Sequence, residues 1–202
     1  MRALIVANGT PPGAERLAEA IDAADFVLAA DGGANKLAAL GLRCDCILGD
    51  FDSLDLAVFP NVPRVAAVDQ DHTDIDKAIA YAIAQGATSI VMTGVTGDRL
   101  DHTFGALSML VKYGRKVDLA LLDDVGRARL VNDEIVIPTH ASQAVSLLPL
   151  GHVEGVSTMG LRWELDGDSL AAGVRDGISN EATGDTVSVT CWGGDLVVYW
   201  HG

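Results

Sequence analysis

The sequence is poor in cations, aromatic rings and cysteine. Only 14 Lys and Arg stand against 28 Asp and Glu, for a net charge of −14. Nucleic acid is held by many cations facing phosphates, so a chain this acidic, with no Lys/Arg run, is excluded from that class. Three cysteines, Cys44, Cys46 and Cys191, are an odd number without framework spacing. They point to reduced thiols and a cytoplasmic setting rather than a disulfide scaffold. Cys44 and Cys46 fall in an apolar stretch, where free Cys acts as a small hydrophobe; a metal or redox pair is the alternative. No apolar run is long enough to span a bilayer, and MRALIVANGT reads as a first strand rather than a signal peptide. With aromatics at 5%, the core must be built mainly from small aliphatic residues. There is no GxxxxGK[ST], which excludes a P-loop, and Asn8-Gly9-Thr10 is not the start of a GxGxxG dinucleotide fingerprint.

What is present is an apolar fraction of 49% over 202 residues, enough for one large or two small folded domains. Up to about residue 125, apolar runs alternate with helical spacing. Strands are expected at Ala3–Ala7, Phe26–Ala30, Cys46–Leu48, Val65–Val68, Ser89–Met92 and Val117–Leu122. Helices are expected at Ala14–Ala23, after Gly33 to Leu40, at Asp74–Gln85 and at His102–Tyr113. Continuous apolar strands alternating with helices predict a three-layer α/β/α domain with a mostly parallel sheet, residues 1–125. From 126 to 202 the spacing changes to short strand-like runs punctuated by glycine: Ala128–Val131, Ile135–Ile137, Ala144–Leu148, Thr186–Thr190 and Leu196–Trp200. That predicts a second, all-β domain of sandwich or barrel type.

The acidic residues are unevenly placed. Of 22 Asp, 11 lie between Asp31 and Asp101, and they follow the expected strands: Asp31-Gly32-Gly33, Gly49-Asp50-Phe51-Asp52-Ser53, Asp69 through Asp74, and Thr93-Gly94 through Asp101. In an open parallel sheet the C-terminal strand ends share one edge, where ligands bind. Any one of these Asp residues could be a turn or cap. Several converging carboxylates repel one another by kcal/mol amounts unless a divalent cation joins them, and Mg²⁺ favours a few carboxylates together with phosphate oxygens. Gly32-Gly33 and Gly94-x-x-Gly97 permit close backbone approach to phosphate. Arg99 suits a phosphate by its planar fork, or pairs locally with Asp101. His72 and His102 neighbour these motifs without anything to fix their orientation, whereas His140, His152 and His201 show no ligand spacing.

In order and spacing, Asp31-Gly32-Gly33-Ala34, Gly49 to Ser53, Asp69 to Asp74 and Gly94 to His102 resemble the signature of thiamine pyrophosphokinases. Gly160 to Leu165 and Ser179-Asn180-Glu181 are similar to that family's thiamine-side motifs. The resemblance implies a nucleotide-binding α/β domain followed by a β domain for thiamine and dimerisation. It further implies a homodimer with thiamine held at the subunit interface. ATP and thiamine are the implied partners and Mg²⁺ the implied cofactor, with no nucleic acid and no membrane. By position Asp50, Asp52 and Asp74 would hold Mg²⁺, and Asp71, Asp74, Arg99 and Asp101 would serve the transfer. ATP would meet Asp31, Gly32, Gly33, Asn35, Thr93, Gly94, Gly97 and Arg99; thiamine would meet Trp163, Ser179 and Asn180. Gln70 and Asp98 depart from the family pattern, which has Lys in many bacterial members at the first position and commonly Gly at the second. Two rival readings fit the acidic motifs: a diphosphokinase for another small alcohol such as a pterin, and a non-catalytic nucleotide- or thiamine-binding module.

Overall fold

A computed structural model describes residues 1–67, 69 and 71–202; Val68, expected to end the fourth strand, and Gln70 lie outside the described residues. The chain divides into two compact units, Met1–Asp124 and Val125–Gly202.

The first unit contains β1 (Arg2–Val6), α1 (Ala14–Ala23), β2 (Phe26–Ala30), α2 (Gly33–Ala39), β3 (Cys46–Gly49), β4 (Arg64–Ala66), α3 (Asp74–Ala84), β5 (Ser89–Thr93), α4 (Leu100–Tyr113) and β6 (Asp118–Leu122). Its strands lie in the order β6-β5-β1-β2-β3-β4, and every pairing is parallel. Strand side chains alternate between faces, so Leu4, Val6, Val27, Ala29 and Ile47 look to one side. There they pack with Leu17 and Ile21 of α1 and Leu37 of α2. Helix α3 packs on β1, β2 and β3 from the opposite side. Each fully buried Leu or Ile in such a layer contributes about 1.5–3 kcal/mol from removal of apolar surface. Cys44 is a free, buried member of this core, and burial pushes its thiol up to about 11; Cys46 is free and buried beside Tyr81 of α3.

The chain runs outward from β1 through β2, β3 and β4, then returns to the other side of β1 to form β5 and β6. The reversal falls between β1 and β5, and an open parallel sheet forms its ligand crevice outside the carboxyl ends of the strands at such a point. Two glycines make the spacing possible. A side chain on Gly33 would stand 2.0 Å from the Val6 carbonyl oxygen, and one on Gly94 (φ +66°) 2.5 Å from that of Ala7.

The second unit is all-β among the described residues. One sheet has the order β12 (Gly177–Glu181), β9 (Ala144–Pro149), β14 (Leu196–His201), β7 (Gly126–Leu130). The other has β11 (Asp168–Ala171), β10 (His152–Met159), β13 (Thr186–Thr190), β8 (Glu134–Pro138), and the pairings in both are antiparallel. Their inner faces share a core of aliphatic side chains, including Val145, Leu147, Val153, Val156, Val187, Val189 and Val198. This is a sandwich. Three strands, β10, β11 and β12, were not expected from the sequence. Gly155 (φ +62°) breaks the alternation of β10, and the register of β12 shifts between Gly177 and Asn180, where Ser179 adopts φ +62°.

Candidate active site

The crevice of the first unit has a volume of about 340 Å³. The loop after β1 contributes Asn8 and Gly9, that after β2 Asp31, and that after β3 Asp52 and Ser53. The start of α3 adds Thr73 and Asp74, and the segment from β5 into α4 adds Gly94, Val95, Asp101, His102 and Gly105. Segments distant in sequence thus meet because a parallel sheet delivers all its strand ends to one edge.

Local turn geometry turns the carboxylates inward. Asp31 and Phe51 both have positive φ, 45° and 69°, an uncommon conformation outside glycine that reverses the chain directly after a strand. The Asp52 amide donates to Asp50 Oδ1 (3.2 Å), the Ser53 hydroxyl to Asp52 Oδ1 (2.9 Å), and the Ser53 amide to Asp31 Oδ2 (3.2 Å). Asn35 clasps the same turn from α2, donating to the Ser53 carbonyl at 2.8 Å and accepting from the Asp55 amide at 2.9 Å.

One carboxylate oxygen from each of Asp31, Asp50 and Asp52 lies within 4.8 Å of the others. Asp31 is 4% exposed, and its Oδ1 is buried without a hydrogen-bond partner. Burial pushes the Asp31 carboxyl above its usual range, in spite of hydrogen bonds from Ser53 and Gly32, and the nearby Asp52 adds to the rise. A carboxylate that is buried with one oxygen unpartnered and that has two further carboxylates nearby costs free energy in the absence of a cation. The donor set, all hard oxygens, fits Mg²⁺.

The expected grouping of Asp50, Asp52 and Asp74 is therefore rearranged. Asp31, assigned to ATP from the sequence, meets Asp50 and Asp52, while Asp74 lines the crevice outside that trio. The reason is position: Asp31 follows β2, the immediate neighbour of β3, and Asp74 sits in the first turn of α3. There Asp74 Oδ1 accepts from Lys77 Nζ at 3.2 Å. Thr73 caps α3, its hydroxyl accepting from the Asp76 amide.

Other expected residues have structural partners. Thr93 is fully buried, and its hydroxyl donates to the Leu122 carbonyl at 2.7 Å, joining β5 to β6. Gly32 and Gly33 give α2 room to start beside β1, and Gly97 (φ +94°) lies against Thr10. Asp98 accepts a 2.6 Å hydrogen bond from the Thr10 hydroxyl, and the Gly9 and Thr10 amides donate to the Gly94 and Thr96 carbonyls. These bonds tie the β1 and β5 loops together. Arg99 makes the local ion pair, donating from Nε (3.0 Å) and Nη2 (2.5 Å) to Asp101. That pairing holds the Asp101 carboxyl down at about 2. Asp71 is exposed, its amide donating to Asp69 Oδ1 at 2.9 Å, and His72 Nδ1 lies 2.5 Å from Asp69 Oδ2.

The second unit has a smaller hollow of about 190 Å³, lined by residues that include Leu147, Trp163, Ile178 and Asn180. Asn180 is buried and fixes Trp163 at both peptide groups, accepting from its amide (3.2 Å) and donating to its carbonyl (2.7 Å). The indole itself is 54% exposed, with the Arg162 guanidinium 4.9 Å above its ring. Ser179 is exposed, and its amide donates to the Ser146 hydroxyl.

Comparison with known proteins bears on both units. Residues 17–121 match the sequence model of "Thiamin pyrophosphokinase, catalytic domain", and residues 133–194 that of "Thiamin pyrophosphokinase, vitamin B1 binding domain". The chain is 27% identical to thiamine pyrophosphokinase 1 of Oryza sativa subsp. japonica, over 84% of this chain and 76% of that one. It is also 27% identical to thiamin pyrophosphokinase 1 of Caenorhabditis elegans, over 87% and 79%. Among solved structures, thiamin pyrophosphokinase from Geobacillus thermodenitrificans superposes with a TM-score of 0.86 at 26% identity, covering 100% of this chain and 98% of that one.

Proposed function

The chain belongs to the thiamin pyrophosphokinase family, enzymes that move a diphosphate from ATP to thiamine, and we propose that the crevice beside β1 and β5 is where its transfer occurs. The observation that carries this reading is the trio Asp31, Asp50 and Asp52, each with a carboxylate oxygen within 4.8 Å of the others, together with the buried, unpartnered Asp31 Oδ1.

Asp31, Asp50 and Asp52 would hold Mg²⁺, with Asp74 facing the same crevice. When bound, the ion would offset charge on the phosphate oxygens. The remaining work belongs to the chain. Asn8, Gly9, Gly94 and Val95, from two loops bonded to each other, line one wall of the space for the polyphosphate. His102 and Gly105 form the α4 side of that space. The thiamine hydroxyl attacks the β-phosphorus of ATP, the bond from that phosphorus to the α–β bridging oxygen breaks, and AMP leaves. Positioning and charge stabilisation account for the rate of such a transfer. Arg99 can reach the phosphates only by giving up Asp101, and in its ion pair Asp101 is a poor proton acceptor.

Thiamine is a cation, and the exposed face of Trp163, held by Asn180, suits it. The half-exposed indole already carries a cation, Arg162, on one face. We assign the molecule as a homodimer in which thiamine lies between protomers. Beside Asp101 the first unit exposes Leu100 (86%) and Phe104 (65%), one helical turn apart on α4, and beside the Trp163 hollow the second exposes Ile178 (59%). Apolar side chains flanking both half-sites support cover by a second copy. The three reduced thiols fit a cytoplasmic setting, and among the described residues no helix is long and apolar enough to cross a membrane.

A coupled assay for AMP with ATP, Mg²⁺ and thiamine tests the reading, with a pterin alcohol as the competing acceptor. AMP formation that depends on thiamine is expected. Formation only with the pterin, or nucleotide binding without AMP, would favour the rival assignments.

A further inference from the structure

A lysine that the sequence reading passed over lies against the acidic crevice. The Lys77 side chain is only 12% exposed. Its ammonium donates to the Ala67 carbonyl at 3.0 Å and to Asp74 Oδ1 at 3.2 Å. The Ala67 amide in turn donates to the Gly49 carbonyl at 2.9 Å, and Gly49 immediately precedes Asp50. One buried cation thus joins the backbone beside the Asp50 turn to the carboxylate at the start of α3.

We propose that Lys77 is a positioning residue, which orients the Asp74 carboxylate into the crevice and fixes the start of α3 against the turn that carries Asp50 and Asp52. The assignment rests on the crevice being the metal and phosphate site. Burying an ammonium costs free energy unless its donors are used, and Lys77 donates to Asp74 at the crevice wall and to the Ala67 carbonyl behind it. The pair differs from a solvated surface ion pair, whose partners move freely and gain little from each other. The first turn of α3 is held from a second side as well, because Asp76 is bound by Lys112 and Tyr113 of α4. Asp74 is therefore attached to a rigid helix start, and Lys77 sets the direction of its carboxylate.

A simpler role would make Lys77 only a counter-charge among carboxylates, and the two roles predict opposite signs. Removing a counter-charge leaves the crevice more negative, so a divalent cation binds more tightly. Removing a positioning residue leaves Asp74 free to turn away, so the cation binds more weakly. Partners of metal-binding carboxylates are worth about 10- to 100-fold in affinity.

Mn²⁺ binding to the nucleotide-free protein, followed by electron paramagnetic resonance, separates the two. Lys77→Met should weaken Mn²⁺ about tenfold and raise the Mg²⁺ needed for half-maximal AMP release by a similar factor, with the thiamine KM held within about twofold. Lys77→Arg, which keeps a cation and several donors, should recover most of the loss. In an Asp74→Asn background Lys77→Met should add nothing further, because its effect runs through Asp74. Unchanged or tighter Mn²⁺ binding in Lys77→Met, or a full effect persisting without the Asp74 carboxylate, overturns the assignment. Asp52→Asn is the control. If it leaves Mn²⁺ binding intact, the crevice reading fails and Lys77 with it; if it abolishes binding while Lys77→Met does not, only the Lys77 assignment fails. Should Lys77→Met not fold, Lys77→Gln carries the same comparison, since it keeps a donor towards Ala67 and no charge towards Asp74.

Discussion

Asp76 in the first turn of α3 and Lys112 in the last turn of α4 form a charged pair in which Nζ donates to both carboxylate oxygens, at 2.9 and 2.6 Å. The Tyr113 hydroxyl adds a third bond at 2.6 Å, and Asp76 is 6% exposed. Breaking one partner leaves the other desolvated. Asp76→Asn should lower stability by about 2 kcal/mol, less than for a fully buried pair because the Lys112 side chain is 40% exposed. Urea unfolding at neutral pH measures it.

The same pair sets a pH signature. Burial alone would raise the Asp76 carboxyl, but hydrogen bonds from Lys112 and Tyr113, with the Lys112 charge, outweigh it and hold the group below its usual range. A carboxyl depressed in the folded state stabilises the fold above its unfolded pKa, about 3.9, and the contribution is lost as pH falls through the lower folded value. The stability difference between wild type and Asp76→Asn should stay level from about pH 7 to pH 5 and shrink below about pH 4. A difference that widened towards acid would contradict the ion pair.

At Asp31 the sign reverses. Its carboxyl is raised, so ionisation at neutral pH opposes folding until a cation arrives. Asp31→Asn keeps a residue tolerant of positive φ and removes the repulsion with Asp50 and Asp52. In EDTA the variant should melt about 2–4 °C above wild type, the shift expected for roughly 1 kcal/mol in a chain of this size. The upward shift that Mg²⁺ with ATP gives to wild type should vanish, and thermal melts with and without the ion read both effects.

Trp163→Ala should raise the thiamine KM about tenfold and leave the ATP KM within about twofold, in line with up to about 2 kcal/mol for a cation over an indole. Stability should change little, since the ring is largely exposed. Trp163→Phe should fall between. Equal rises in both KM values would count against stacking.

Asp98 gives the family departure a physical role, because its carboxylate accepts from Thr10 across the two loops that bound the crevice. Asp98→Ala and Thr10→Val should each raise the ATP KM about five- to tenfold, as expected for one lost hydrogen bond of about 1–1.5 kcal/mol. The double variant should be no worse than either alone. Steady-state kinetics on the three proteins decides it.

Much of the fold was legible in residue spacing. Leu17 and Ile21 fall on the same side of a 3.6-residue period, so Ala14–Ala23 reads as a helix. The unbroken apolar run Phe26–Ala30 reads as a buried strand. Of the three strands outside that pattern, two have a broken period: Gly155 bulges β10, and Ser179 at positive φ interrupts β12. For the crevice, the Asp motifs after the strands were visible as motifs, but their partners were not. Nothing local to Asn35 says that its amide clasps Ser53 and Asp55, or that the Thr93 hydroxyl turns to Leu122 and away from ligand.

Taken alone, the sequence determined the strands and helices of the first unit, five of the strands of the second and which acidic turns follow the strands, since backbone preference and burial periodicity are properties of near neighbours. Tertiary structure decided which carboxylates meet. Asp31 joins Asp50 and Asp52 because β2 lies beside β3 and both turns run through positive φ, whereas Asp74, paired with Lys77, lines the crevice from the start of α3. Distances of a few ångströms between charges as far apart in sequence as Asp31 and Asp50 depend on strand order and side-chain packing, and no local pattern encodes them.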